Sequence, residues 1–291
     1  RAWQLYLMLI PAVVYILVCA YKPMGGIVIA FKDFRANRGI LGSAWVGLKH
    51  FVSFVTSPMF PRLFYNTFHL SFLNLAFGFL CPILFALLVN ELKDNFFKKF
   101  LQTTSYMPYF ISSVVVAGMV LSFLNADGIL NQFLALFNVP PKAYNTLPKA
   151  FPIFYTVTCI WKSFGWGSIL YLSTISSIDP GLYESAKIDG ANRLQRCWYV
   201  TLPHLSNLII IQLIFSIGGL LGSNTELILL LYVPATYSTA DVIGTYVYRD
   251  GLMGGRFSYG TAVGIFTSVI NFTLLYITNK ISSKVADYGI W

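Results

Sequence analysis

The stretch Phe64-Tyr65-Asn66-Thr67-Phe68-His69-Leu70-Ser71-Phe72-Leu73-Asn74-Leu75-Ala76-Phe77-Gly78-Phe79-Leu80-Cys81-Pro82-Ile83-Leu84-Phe85-Ala86-Leu87-Leu88-Val89-Asn90 contains no Asp, Glu, Lys or Arg. The hydrocarbon core of a bilayer is about 30 Å thick, and about 20 apolar residues of helix cross it. Inside lipid every backbone N–H and C=O must find its partner within its own segment, so such a stretch is a helix. Five more stretches pass the same test: Trp3–Ile29, Leu101–Leu124, Phe151–Ser176, Leu205–Tyr232 and Phe257–Asn279. The fold class expected is all-α, a polytopic membrane protein with six spans forming one transmembrane domain over residues 1–291.

Composition agrees. Of 291 residues, 56% are hydrophobic and 11% charged, where a soluble domain carries about 25% charged residues. Cys19, Cys81, Cys159 and Cys197 lie in or beside apolar segments without paired spacing, so they read as small apolar side chains. His50, His69 and His204 are far apart and have no partner at metal-ligand spacing, so no metal site is expected. The chain begins at Arg1 rather than Met, which implies a short missing N-terminal piece. Tyr21-Lys22-Pro23 follows the first apolar run where a signal peptide would carry small residues, so that run reads as a span.

Between the second and third spans, Glu91 to Phe100 places Leu92, Phe96 and Phe100 on one helical face with charges opposite. This reads either as a short helix on the membrane surface or as a polar turn. The positive-inside rule does not orient the chain. Of 20 Lys and Arg, Lys162 is counted within a span; with the N-terminus inside, nine fall in inside segments and ten outside, Lys22 at the outer end of the first span among the ten.

The segment joining the fourth and fifth spans, about residues 179–204, has its own grammar. Asp179 can cap a helix that has Pro180 at its first position. Gly190 can take the left-handed conformation that ends it. A second helix is expected from about Ala191, with Leu194, Cys197 and Trp198 on one face, ended by Pro203.

This segment resembles the signature of permeases of the ATP-binding-cassette importers: Glu-Ala-Ala, three residues, Gly, nine residues, Ile, one residue, Leu-Pro. Here Glu184-Ser185-Ala186 is followed by Gly190 and then Val200-Thr201-Leu202-Pro203; Ser185 and Val200 depart from the pattern and conserve size. Tyr232 to Ile243, Thr245 to Arg249 and Phe257 to Gly264 resemble the outer loop and sixth helix of polysaccharide-type permeases within the sugar-importer group. The resemblance implies a cytoplasmic loop that docks on a separate ATPase through Glu184, Ser185, Ala186, Gly190, Leu194, Trp198, Leu202 and Pro203. It further implies two ATPase subunits, a second permease subunit, an extracytoplasmic substrate-binding protein and a carbohydrate substrate. The chain would cross a bacterial cytoplasmic (inner) membrane several times, with both termini on the cytoplasmic side.

The chain has no Gly-x-x-x-x-Gly-Lys-Ser/Thr stretch to cradle phosphates, so ATP and Mg belong on the partner and no cofactor is expected here. It also lacks nucleophile-elbow and paired-histidine motifs, so it reads as a non-catalytic subunit.

Ionisable groups within spans cost roughly 2.5–3.5 kcal/mol on insertion scales. Lys162 and Glu226 are two such groups: either they pair, or Glu226 sits near the outer water, or they line the translocation path. The resemblance to sugar permeases carries contact positions to Cys159, Ser163, Trp166, Ser216, Gly219 and Leu220, and the neighbours Trp161 and Asn224 join the same path. Outside segments hold ten cations against Asp33, Asp127, Asp241 and Asp250, a field that favours an acidic ligand. A uronate-containing oligosaccharide, alginate for example, is therefore expected. Gly218 with Gly222, and Gly260 with Gly264, permit close helix contact, either within the chain or against a second permease. The rival readings are an ion-coupled secondary transporter with broken helices at midplane and an intramembrane enzyme.

Overall fold

The computed structural model describes residues 3–285, so Arg1 and both chain ends lie outside the described residues. The chain forms two compact units. One comprises residues up to Leu63 with Ile243–Val269; the other comprises Phe64–Val242 with residues from Ile270 onward.

In the first unit, α1 (Trp3–Ile16) continues through a π-turn at Leu17–Tyr21, α2 (Lys22–Met24) and a 3-10 turn to Phe31. The most apolar 18 residues of Tyr6–Phe31 are not buried by the described residues, as suits a helix covered by lipid or by another subunit. A short antiparallel pair follows, β1 (Lys32–Asp33) with β2 (Ala44–Trp45), and Phe31 stacks on Trp45 at 5.8 Å. Then comes α3 (Lys49–Val55). Its Phe54 is buried among the rings of Phe60, Tyr246, Tyr259 and Phe266.

The second unit holds α4 (Phe60–Leu73, from Phe64), α5 (Leu80–Asn90), α6 (Phe96–Phe110), α7 (Ser113–Leu124) and α8 (Ile129–Ala135). It continues with α9 (Phe151–Ser176), α10 (Pro180–Ile188), α11 (Arg193–Arg196), α12 (Leu202–Gly218) and α13 (Thr225–Leu231). The last helix, α14 (Phe257–Val285), contributes to both units. Among the described residues, this unit's core includes two apolar clusters. Phe151 and Tyr155 of α9 meet Leu227 and Leu231 of α13 in one. Tyr171 and Ile175 meet Ile83 and Leu205 in the other. The long helix α9 belongs to both.

Five helical runs are long and apolar enough to cross a membrane among the described residues: Tyr6–Phe31, Phe60–Asn90, Ser113–Ala135, Arg193–Gly218 and Phe257–Lys284. The sixth is α9. At 26 residues and about 1.5 Å per residue it is long enough to span, and it is less apolar because it carries Lys162 and several Ser and Thr residues.

Two expected spans are broken. The third is interrupted between α6 and α7, where Ile111 is extended and Ser112 caps the new helix through the Val115 N–H. The fifth ends at Gly218; a turn closed by Gly222 N–H to Gly219 O at 2.8 Å precedes α13. Non-helical backbone at membrane depth is tolerated where protein or a cavity surrounds it. Here the Leu221 N–H donates to Asn271 Oδ1 and the Asn224 N–H donates to Tyr155 Oη.

Pro203 does not end a helix. α11 runs through a π-turn at Cys197–Thr201 into α12. A proline has no N–H to give and its ring crowds the carbonyl four residues back. The π-turn widens the ladder at that carbonyl, Tyr199. The same arrangement recurs at Pro23 and Pro82, whose corresponding carbonyls, Cys19 and Gly78, also fall within π-turns. The surface-helix expectation is corrected too. Glu91 to Asn95 is a turn, and the helix that starts at Phe96 is capped by Asn95 and runs on to Phe110. A hydrogen bond from Lys98 holds the Asp94 carboxyl below the usual carboxylate range.

Candidate functional site: a membrane cavity and an exposed loop

Tyr155, Cys159, Lys162 and Trp166 recur at spacings of four, three and four, so they share one face of α9. That face lines a cavity of about 830 Å³ within the second unit. The turn between α12 and α13 supplies Gly219, Leu220 and Asn224, and α12 supplies Gln212 and Ser216. The expected path residues Cys159, Lys162, Ser163, Trp166, Ser216, Gly219, Leu220, Asn224 and Glu226 all line it. Trp161 does not; it is adjacent to Lys162 in sequence but about 100° around the helix.

Lys162 does not pair with Glu226. Its Nζ donates to Ser113 Oγ at 3.0 Å, and among the described residues no carboxylate lies within ion-pair distance of it. Glu226 is exposed on the cavity wall in the first turn of α13, whose N-cap is Asn224. Trp166 is stacked on Tyr109 with centroids 4.7 Å apart and planes 7° apart, and Phe110 meets it edge-on at 5.5 Å.

The sequence reading missed Asn74, Tyr109, Ser113, Tyr155 and Gln212, all of which line the cavity. A signal for two of them was present. Asn74 and Gln212 are amides within apolar spans, and burying an unpaired amide in an apolar medium is costly enough to call for a reason.

The connecting loop has the expected bend. Asp179 Oδ1 accepts from the Gly181 N–H at 2.9 Å, with Pro180 at the start of α10. Gly190 has φ +81°. The Ala191 N–H reaches Ala186 O and the Gly190 N–H reaches Lys187 O, the bonding pattern of a Schellman ending. The second helix starts slightly later than expected, with Asn192 and Gln195 forming a reciprocal capping box. Tyr183 Oη meets Thr201 Oγ1 at 3.0 Å and ties the first short helix to the π-turn that follows the second. Arg193 lies 3.9 Å from Glu91, so the loop shares a face of the protein with the turn after α5.

The loop is not buried by its own chain. Ile188 is 86% exposed, Leu194 77%, Tyr199 75% and Trp198 65%. Burying a side chain of this kind contributes roughly 1.5–3 kcal/mol, so this apolar surface is suited to a partner.

The paired glycines divide. A Cβ on Gly218 would lie 2.6 Å from Leu275 Cδ1, and one on Gly260 would lie 3.0 Å from Gly251 Cα, so both serve packing within the chain. Gly264 faces open space.

The family described as "Binding-protein-dependent transport system inner membrane component" matches residues 78–287. The polygalacturonan/rhamnogalacturonan transport system permease protein YteP of Bacillus subtilis (strain 168) is 42% identical, over 99% of this chain and 90% of the relative. Among solved structures, a bacterial ABC transporter involved in the import of the acidic polysaccharide alginate contains a chain with TM-score 0.91 and 42% identity. That match covers 98% of this chain and 97% of the other. A bacterial alginate ABC transporter in complex with alginate pentasaccharide-bound periplasmic protein matches with TM-score 0.91 and 41% identity, over 100% and 97% of the two chains.

Proposed function

Because this chain belongs to the binding-protein-dependent transport system inner membrane component family, we propose that its cavity is half of an importer's path for uronate-containing oligosaccharides. The chain is a multi-pass inner-membrane permease subunit of an ATP-binding-cassette carbohydrate importer. It works with ATPase subunits, a second permease and a substrate-binding protein.

The single observation that carries the coupling role is the exposed apolar bend at Glu184–Pro203. A loop stiffened by two caps and a Schellman ending, with Ile188, Leu194 and Trp198 unburied, can pass force from a partner to α12 because α11 runs into α12 without a break. In this reading Glu184, Ser185, Ala186 and Gly190 shape the first short helix, while Leu194, Trp198, Leu202 and Pro203 carry motion into the span. The loop and both termini lie in the cytoplasm. ATP and Mg sit on the partner, and this chain performs no catalysis. The broken spans are a feature shared with ion-coupled transporters; the loop distinguishes the two classes.

The substrate reading is supported by Lys162, a half-buried ammonium on the cavity wall with no carboxylate partner among the described residues, and by Trp166, an aromatic one turn away. Relatives named for polygalacturonan and for the acidic polysaccharide alginate point the same way. A volume of about 830 Å³ lies within the range of sites for extended small ligands. Lys162→Ala is expected to lower uptake of acidic oligomers about ten- to hundredfold, the value of a hydrogen bond to a charged group, and to leave neutral oligomers unaffected. Reconstituted importer supplied with both kinds of oligomer checks this. Equal uptake of the two by the unaltered importer would remove the acidic reading.

A further inference from the structure

We infer that Lys162 is the seat of the substrate's carboxylate, and that Ser113 is the resting partner it abandons when the carboxylate arrives, freeing the break between α6 and α7. The inference rests on the uronate reading above and adds to it a device that reports occupancy.

The break is held differently on its two sides. On the α6 side, Gly165 of α9 packs directly against the Ser105 backbone, where even a methyl group would collide. That side is fixed to α9 by contact. On the α7 side, Ser113 is the first residue of the new helix, and Lys162 Nζ reaches its Oγ at 3.0 Å. Two residues of non-helical backbone, Ile111 and Ser112, separate the two attachments. Farther along, Ala117 of α7 sits in the core cluster with Phe151 and Tyr155 of α9, so a change in the Lys162 contact acts on the first turn of α7, between that core and the fixed α6 side.

The resting contact is a poor one for an ammonium. Its acceptor is a neutral hydroxyl, and the group stands beside the start of a 12-residue helix. The first turn there leaves the Ser113 and Val114 N–H groups without intrahelical acceptors, and the helix start carries partial positive charge. A carboxylate reverses both terms. It gives the ammonium a charge-assisted partner, and its negative charge is favoured at the helix start. Lys162 thus has a better partner in a uronate than in Ser113.

The neighbouring surface suits the rest of the sugar. Trp166 lies one turn along α9 from Lys162, and Tyr109 lies four residues before Ser113 across the break. These two rings form the parallel stack at 4.7 Å on the same cavity wall. Carboxylate and ring of one uronate residue would thereby meet Lys162 and an aromatic edge together, touching elements on both sides of the break.

The test uses the whole importer in proteoliposomes, with its ATPases, partner permease and binding protein. Trigalacturonate is the acidic probe and its methyl ester the neutral one. Ser113→Ala is expected to raise ATP hydrolysis without sugar by about tenfold, the shift a hydrogen bond to a charged group produces, and to reduce further stimulation by trigalacturonate. Ser113→Thr, which keeps the hydroxyl, restores the unaltered ratio of stimulated to basal hydrolysis. A merely structural serine would not raise sugar-independent hydrolysis. Should Ser113→Ala fail to assemble, Ser113→Cys, a weak acceptor of similar size, takes its place and gives an intermediate rise. Unaltered basal hydrolysis in the variant, with acid preference retained, overturns the latch and leaves the substrate reading standing. Equal uptake of acid and ester by the unaltered importer overturns the substrate reading itself.

Discussion

Gly190→Pro is expected to leave ATP hydrolysis running while uptake falls by about a hundredfold, which corresponds to about 3 kcal/mol of proline misfit. Gly190 sits at φ +81°, and proline is confined near −65°. The N–H that closes the bend onto Lys187 O would also be lost. The damage is confined to the loop, so the spans still insert. Gly190→Ala offers a graded comparison. A Cβ there meets nothing within 4 Å, so only the left-handed backbone penalty of about 1–2 kcal/mol remains, and uptake should fall far less. Paired measurements of hydrolysis and uptake in one proteoliposome preparation check both. Normal uptake by Gly190→Pro would count against force passing through this bend.

Gly165→Val is expected to prevent assembly of a stable permease. A Cβ at position 165 would collide with the Ser105 carbonyl group, and a helix backbone cannot yield as a flexible side-chain tip can. Overpacking a well-filled site costs about 1–3 kcal/mol. Here a branched side chain is forced onto main chain, so the cost belongs at the upper end or beyond. Gly165→Ala should survive with a lowered unfolding temperature, and Gly165→Val should give aggregated material on size-exclusion chromatography in detergent. Gly264→Ala, at an open position, should behave as the unaltered protein. If Gly165→Val ran as a monodisperse, stable species, the close approach of α6 and α9 would be wrong.

The membrane class was legible because lipid imposes one rule everywhere: a span must be apolar and continuous in its hydrogen bonding. The same rule hid the two breaks. Ile111-Ser112 carries no charge to set it apart from the span, and at the break Ser112 caps the new helix by accepting from the Val115 N–H. Gly218 and Gly222 invited a reading as close-contact positions, and Gly219 one as a path residue. Gly218 does pack tightly, but Gly219 and Gly222 form the turn. Pro203 read as a stop because proline usually is one; the π-turn before it depends on a register shift that no residue type announces.

The site was more legible than the breaks. Lys162 stood out by its cost in a span, and its helical neighbours followed from the resemblance. Trp161 entered through adjacency in sequence, which helical rotation undoes. Asn74 and Gln212 were passed over although the same cost argument applies to a buried amide, at a smaller magnitude. Ser113 and Tyr155 carried no local signal. Their roles come from elements that only the fold brings opposite α9.

The most direct test of the central claim is whether the importer's own ATPase stays with the permease when the exposed loop is made hostile to it. Ile188→Asp with Leu194→Asp places charge on side chains that are 86% and 77% exposed in this chain, so folding and insertion should be spared. When the importer's subunits are expressed together and purified through the permease, the ATPase should be lost from the variant and retained by the unaltered protein. Full retention of the ATPase by the doubly substituted permease would contradict the assignment of this loop as the coupling surface.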